Sequence, residues 1–383
     1  MFRVFAPPEA AFVAVASVFA TGTLMAGCSG APAPAADGSI SVTATDSSCQ
    51  LSKSEAAAGN LAFTVSNKGS KVTEFYLYGA GDRVIGEVEN IGPGLTRKLL
   101  VEVPNGGAYT TACKPGMVGD GIRGPFTVTG QVPRSVDTSA KLTEATAGYK
   151  DYVSGQVEAL VSATERFVNS VKAGNADQAK AQYPVARTYY ERIEPVAESF
   201  QDLDAKVDGR EDDQRQPGEQ FTGYHRLEKD LWVSGLTPES AVIADQLLAD
   251  VKDLWNRVRT LDLKPVELAN GAEELLEEVA TKKITGEEDR YSHTDLWDFK
   301  ANVDGSQAAV AALRPVLDDR DKALGTTLDQ RFAAMNQLLE NYRAGDGFKF
   351  YTELKPEDTK KMTGTVDALA EPLSKVAGTV TAA

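Results

Sequence analysis

The hydrophobic period of this chain changes once, about a third of the way along. Between residues 40 and 130 apolar and polar side chains alternate, as in Ile40-Ser41-Val42-Thr43-Ala44, Leu61-Ala62-Phe63-Thr64-Val65 and Glu74-Phe75-Tyr76-Leu77-Tyr78. Residues 97–103 and 126–129 continue the rhythm, and Gly, Asn and Pro clusters separate the runs. From residue 149 the repeat lengthens to three or four, through Tyr149, Val153, Val157, Leu160, Thr164, Phe167 and Val171. A period of two places apolar groups on one face of a strand, and a period of 3.6 places them along one stripe of a helix. One sheet cannot bury both patterns. The chain therefore predicts a small β-sandwich over 39–131, a linker over 132–146 with Pro133 in it, and an all-helical domain over 147–383.

The N-terminus is a targeting segment rather than structure. Residues 10–24 are apolar but too few to span a bilayer comfortably, and they end in Leu24-Met25-Ala26-Gly27-Cys28. Small residues before a Cys at the end of an apolar run are similar to a lipoprotein signal. The reading is a signal peptide over 1–27, lipid on the Cys28 thiol, and a flexible Ala/Pro-rich tether over 28–38. A plain secretory signal is the alternative. The expected location is outside the cytoplasm, lipid-anchored on the outer face of the cytoplasmic membrane or periplasmic. The formal charge of −15 and pI near 4.8 argue against nucleic acid or anionic surfaces and suit cationic ligands.

The helical region holds both histidines of the chain, His225 and His293. In Gly223-Tyr224-His225-Arg226-Leu227-Glu228 a helix would put His225 and Glu228 on one face, a turn apart. An imidazole and a carboxylate then converge, as in the Glu-x-x-His pairs of carboxylate-rich bundles. Upstream, Glu191 and Glu194 repeat the i, i+3 spacing, and Pro195 predicts a bend beside them. Residues 203–219 are crowded with acids and read as a loop or broken helix. Further helices are expected over 239–261 with Pro238 at the start, over 265–282, from about 291, over 313–342 and over 357–380. His293 and Asp295 read as structural, near a helix start that Ser292 or Thr294 could cap.

In the β-region, Gly107-Ala108-Tyr109-Thr110-Thr111-Ala112-Cys113-Lys114-Pro115-Gly116-Met117 resembles the metal loop of cupredoxins, where a Cys ends a strand and a Met follows. A blue-copper centre also needs two His, and this region has none. What remains is Cys49, Cys113, Met117 and carboxylates such as Glu74. Two Cys in an exported domain can instead form a disulfide, and both readings stay open.

These residues together carry a family resemblance. Ala186-Arg187 with Tyr190-Glu191-Arg192-Ile193-Glu194-Pro195, then His225-Arg226-Leu227-Glu228, then residues 290–305, resemble the imelysin-type, peptidase-like domain. With a cupredoxin-like domain and an export signal in front, the chain resembles the EfeO-type family of iron-uptake lipoproteins. The resemblance implies a cupredoxin-like β-sandwich followed by an imelysin-like double helical bundle. It implies a metal site of Glu191, Glu194, His225 and Glu228 joined by an acid of the next segment, Asp208 rather than Asp204. It maps the β-domain ligands to Cys49, Glu74 and Cys113, with Gln50 standing where the family often has an acid. The implied partners are a membrane iron permease and a haem-containing peroxidase. Carboxylate and imidazole ligands suit hard ferric or ferrous iron in the helical domain, and thiolates suit copper or a softer ferrous state in the first.

Three rival functions are open. A metallopeptidase is one, although the chain lacks the HExxH arrangement that zinc peptidases commonly use. A binding module for another ligand, a polysaccharide or a different divalent metal, is another, and the negative charge opposes an anionic polymer unless cations bridge it. A copper-assisted ferrous iron oxidase is the third.

Overall fold

Alternation in the first region produces two packed sheets. The computed structural model describes residues 39–381 except 83, 104, 118, 132–139, 214–219 and 282. The signal segment, Cys28 and the tether lie outside the described residues. The strands are β1 Ile40–Ala44, β2 Cys49–Leu51, β3 Glu55–Ala57, β4 Gly59–Asn67, β5 Thr73–Tyr78, β6 Val84–Ile91, β7 Thr96–Val103, β8 Asn105–Cys113 and β9 Ile122–Gln131. One sheet has the order β2-β1-β4-β7 and the other β3-β9-β8-β5-β6. Between them lie Val42, Phe63, Val65, Phe75, Leu77, Val101, Cys113 and Phe126, the inward members of the alternating runs.

The helices are α1 Ala140–Lys172, α2 Ala176–Glu191, α3 Glu194–Glu198, α4 Gln201–Val207, α5 Gly223–Lys229, α6 Pro238–Thr260, α7 Pro265–Thr281, α8 Asp295–Arg320, α9 Lys322–Glu340, α10 Pro356–Leu373 and α11 Val376–Thr381. Helix α8 packs against α1, α2, α7 and α9, and α10 closes against α7 and α9. The two bundles share one continuous core.

Several boundaries differ from the sequence reading. Helix α1 begins at Ala140, inside the expected linker. The helix expected over 313–342 is two, because Asp321 caps a new start by accepting from the Leu324 N–H at 2.9 Å. The 357–380 stretch also divides, after Leu373. Asn175 caps α2 as its sequence suggests. Thr294 precedes α8 without a side-chain cap; its hydroxyl donates to Asp289 Oδ2 at 2.5 Å instead.

Helix α7 meets β6 of one sheet and β7 of the other, and the polar contacts come from β7. Asn270 Nδ2 donates to the Leu100 carbonyl at 2.7 Å, and Arg97 pairs with Glu277 at 3.0 Å.

Candidate metal centre

Two glycines let the elements of the site approach. At Gly223 φ is +80°, and a Cβ would lie 2.3 Å from the Val207 carbonyl oxygen and 2.5 Å from that of Lys206. Only glycine allows α5 to start against the end of α4. That contact brings His225 of α5 to Asp208, the residue that ends α4: Nε2 lies 3.6 Å from Oδ1. At Gly305 a Cβ would lie 2.3 Å from the Arg192 carbonyl, so α8 can lean on the break between α2 and α3. This break replaces the bend expected at Pro195. Arg192 and Ile193 leave the helix, and Pro195 sits in the first turn of α3, where its missing N–H costs nothing.

Glu191 and Glu194 nevertheless converge across the break. Asn302 of α8 donates to Glu191 Oε2 at 3.2 Å and to Glu194 Oε2 at 2.9 Å. The segment before α8 adds Glu288 and Asp289, both buried. His225 Nε2 lies 3.5 Å from Glu288 Oε1. Its Nδ1 lies 3.2 Å from Glu228 Oε2, so the i, i+3 pair forms within α5. Carboxylate and imidazole atoms gather into three groups within 4.8 Å: Asp208–His225–Glu288, His225–Glu228–Asp289 and Glu191–Glu194–Asp208. Glu191, Glu194, Asp208, His225 and Glu228, singled out in the sequence, thus occupy one buried cluster. Asp204 lies outside these groups and accepts a hydrogen bond from the Tyr190 hydroxyl.

Cations are built into the cluster of acids. Arg187 of α2 is fully buried at its centre. Its guanidinium contacts Glu191, Asp208, Glu288, Asp289 and Asp298. Lys283 is buried too, with its ammonium 3.0 Å from Glu191, 3.1 Å from Glu194 and 3.3 Å from Glu288. Arg210 reaches Glu288 at 3.0 Å. Such pairing is what makes buried charge tolerable.

Burial and these charges set the protonation. Burial raises Glu194 well above the carboxylate range, helped by Glu191 and opposed by Lys283. Burial also raises Asp289 to about 6, although Arg187 opposes it. Glu288 goes the other way: burial would raise it, but Arg210, Lys283 and His225 hold it well below. For His225, burial and Arg187 oppose protonation. The carboxylates of Glu228, Glu288 and Asp208 outweigh both and raise it to about 10.

Sequence reasoning missed Arg187, Lys283, Glu288, Asp289, Asp298 and Asn302. The one available signal for Arg187 was its i, i+4 spacing to Glu191.

The β-domain ligand set is corrected. Cys49 and Cys113 are joined in a disulfide that links the two sheets, with 5.5 Å between their Cα atoms. Metal binds thiolate, and neither sulfur is one here. Glu74 also points the wrong way. Phe75 pairs directly with Cys113 across β5 and β8 and shares its inward face. Glu74, one residue earlier, therefore lies on the opposite face, where it accepts from the Tyr76 hydroxyl at 3.0 Å. Met117 lies on the turn after β8, half-buried. None of the four joins a candidate metal group among the described residues.

The family model described as Imelysin matches residues 145–376, and the one described as Cupredoxin-like domain matches residues 14–128. Among known proteins, the iron uptake system component EfeO of Escherichia coli O157:H7 is 40% identical over 344 residues, which is 88% of this chain and 90% of that protein. EfeO proteins of Escherichia coli K12 and Shigella flexneri match at the same identity and coverage.

Proposed function

The chain belongs to the EfeO family of iron uptake components, with a cupredoxin-like domain ahead of an imelysin domain, and from that premise we propose that it captures iron outside the cytoplasm and delivers it to a membrane permease. The observation that carries the reading is the convergence on His225 of carboxylates from three segments of the chain, the end of α4, α5 itself and the stretch before α8. Iron is the cargo of this site, and carboxylate oxygens with one imidazole are a donor set suited to it. A haem-containing peroxidase of the same system is the second proposed partner. The tether attached through a lipidated Cys28 keeps the protein at the membrane, where the permease is.

A hydrolytic role fits less well. Glu228, the acid beside the histidine, has both oxygens engaged within the protein, so it offers no free base for water. A redox role for the β-domain would need its cysteines as thiolates, and they are paired with each other.

Calorimetry with ferrous and ferric iron on the full chain tests the reading. His225→Ala should lose most of the affinity with helicity unchanged. Equal affinity in the variant would refute a site at His225.

A further inference from the structure

The sandwich and the bundle enclose a cavity where they meet. Its walls come from β6 and from α1, α3 and α7. Val84, Pro195, Val196, Leu261 and Leu268 make most of it apolar. Glu87 of β6 and Glu267 and Glu274 of α7 supply charge, and no lysine or arginine is among the described residues that line it. Water-sized centres fit within about 60 Å³ of it, several times the room that one water needs, so an occupant is a compact molecule. Ile85, Leu263 and Glu267 are half-buried, which leaves the cavity a mouth to solvent.

Two side chains in this cavity lack the partners that their surroundings call for. Tyr149 of α1 is 4% exposed, and its hydroxyl makes no hydrogen bond among the described residues. A buried tyrosine hydroxyl ordinarily finds one. Burial, then Tyr152 stacked on its ring, then the charge of Glu274 push that hydroxyl above its ordinary value, so the hydroxyl and the Glu274 carboxylate lie close together. Glu274 in turn makes no hydrogen bond or ion pair among the described residues. The charges that face it are all of its own sign: Glu87 from β6, and Glu273, Glu277 and Glu267 from α7. Arg97 of β7 reaches Glu277 at 3.0 Å instead. Burial first, and then these like charges, raise Glu274 well above the carboxylate range, so it holds its proton while the cavity is empty.

A hydroxyl ready to accept, a carboxylate without a counter-charge and apolar walls together complement an organic cation. A metal ion fits less well. Among the described residues Glu87, Glu267 and Glu274 do not gather within 4.8 Å, as the groups around His225 and Glu191 do. We propose that this cavity is a second ligand site, for a compact primary amine whose ammonium is held by Glu274 and Tyr149, with Glu87 adding attraction and the alkyl body lying against Val84, Val196 and Leu268. An ammonium has three donors and no acceptor, which matches acceptors offered from α7, α1 and β6. The ammonium also returns Glu274 to its charged form, so uptake near neutral pH releases up to one proton. The site shares no residue with the iron cluster and stands independently of the iron reading.

Calorimetry of the full chain with n-butylammonium tests this. Binding should saturate at one amine per chain. The heat should differ between buffers of low and high ionisation enthalpy by the release of up to one proton. Butan-1-ol, which has the same body without the charge, should not compete. Glu274→Gln should weaken amine binding about tenfold or more and end the proton release, and Tyr149→Phe should weaken it about two- to tenfold. Thermal melts no lower than that of the original chain show that both variants fold. His225→Ala should bind the amine as the original chain does, which keeps this test apart from that of the iron site. A chain that takes up no butylammonium, binds butan-1-ol as well, or keeps its amine affinity in Glu274→Gln overturns the proposal. Displacement of the amine by an equal concentration of magnesium would make the cavity a metal site and overturns it too.

Discussion

Lys283→Met isolates the role of the cations built into the cluster. Methionine keeps the length and apolar stem of lysine and removes only the ammonium. Glu191, Glu194 and Glu288 then lose contacts of 3.0, 3.1 and 3.3 Å. Breaking a buried pair by deleting one partner costs about 3–5 kcal/mol. The low end applies, because Arg187 still holds Glu191 and Glu288, and Asn302 still holds Glu194. Glu194, already raised well above the carboxylate range by burial and Glu191, will take up a proton rather than remain a bare anion. A loss of about 3 kcal/mol corresponds to a fall in Tm of roughly 6–12 °C for a domain of this size. Thermal unfolding at neutral pH, with and without ferrous iron, measures both parts of the argument. The iron-free variant should melt lower, and iron should raise its Tm by more than it raises that of the original chain, because the ion replaces the missing charge. A variant that melts with the original chain, or gains less from iron, would refute the idea that Lys283 neutralises the empty site.

Two further outcomes follow from the rest of the structure. Thiol titration without reductant should find Cys49 and Cys113 unreactive, and replacing both with Ser should destabilise the β-domain by about 4 kcal/mol, given a loop of 64 residues. Glu277, at the contact between α7 and the sheet, is raised to about 7 by burial, with Arg97 opposing and Glu273 adding. Because this folded pKa lies above the unfolded value near 4.5, its contribution is fully present below pH 4.5 and is lost as pH rises through about 7. Unfolding free energies from denaturant melts taken from pH 5 to pH 8 should fall by at most about 3 kcal/mol, and Glu277→Gln should flatten the curve.

The period change in the sequence was enough to separate sandwich from bundle, since five alternating runs fall within β1, β4, β5, β7 and β9. Strands β6 and β8 were harder. Val84–Ile91 pairs through register shifts, and Asn105–Cys113 opens with two glycines, so neither keeps a clean alternation. In the helical domain, i, i+3 spacing identified Glu191, Glu194, His225 and Glu228 because a helix face is a local property. It could not identify Arg187 and Lys283, since a basic residue on a helix ordinarily faces water. Glu288 and Asp289 lie between α7 and α8, where no periodicity marks which way a side chain turns. Their place in the cluster is set by tertiary packing, through Gly223 and Gly305. The error over Glu74 was one of register. The resemblance mapped a ligand onto Glu74, and the alternation along β5 turns that side chain to the face away from Cys113.

Diffraction from crystals of the full chain grown with iron, recorded at the iron absorption edge, bears most directly on the central claim. The account predicts an anomalous peak inside the helical domain, beside His225 and the carboxylates gathered round it. A peak in the β-domain with none beside His225 would contradict it.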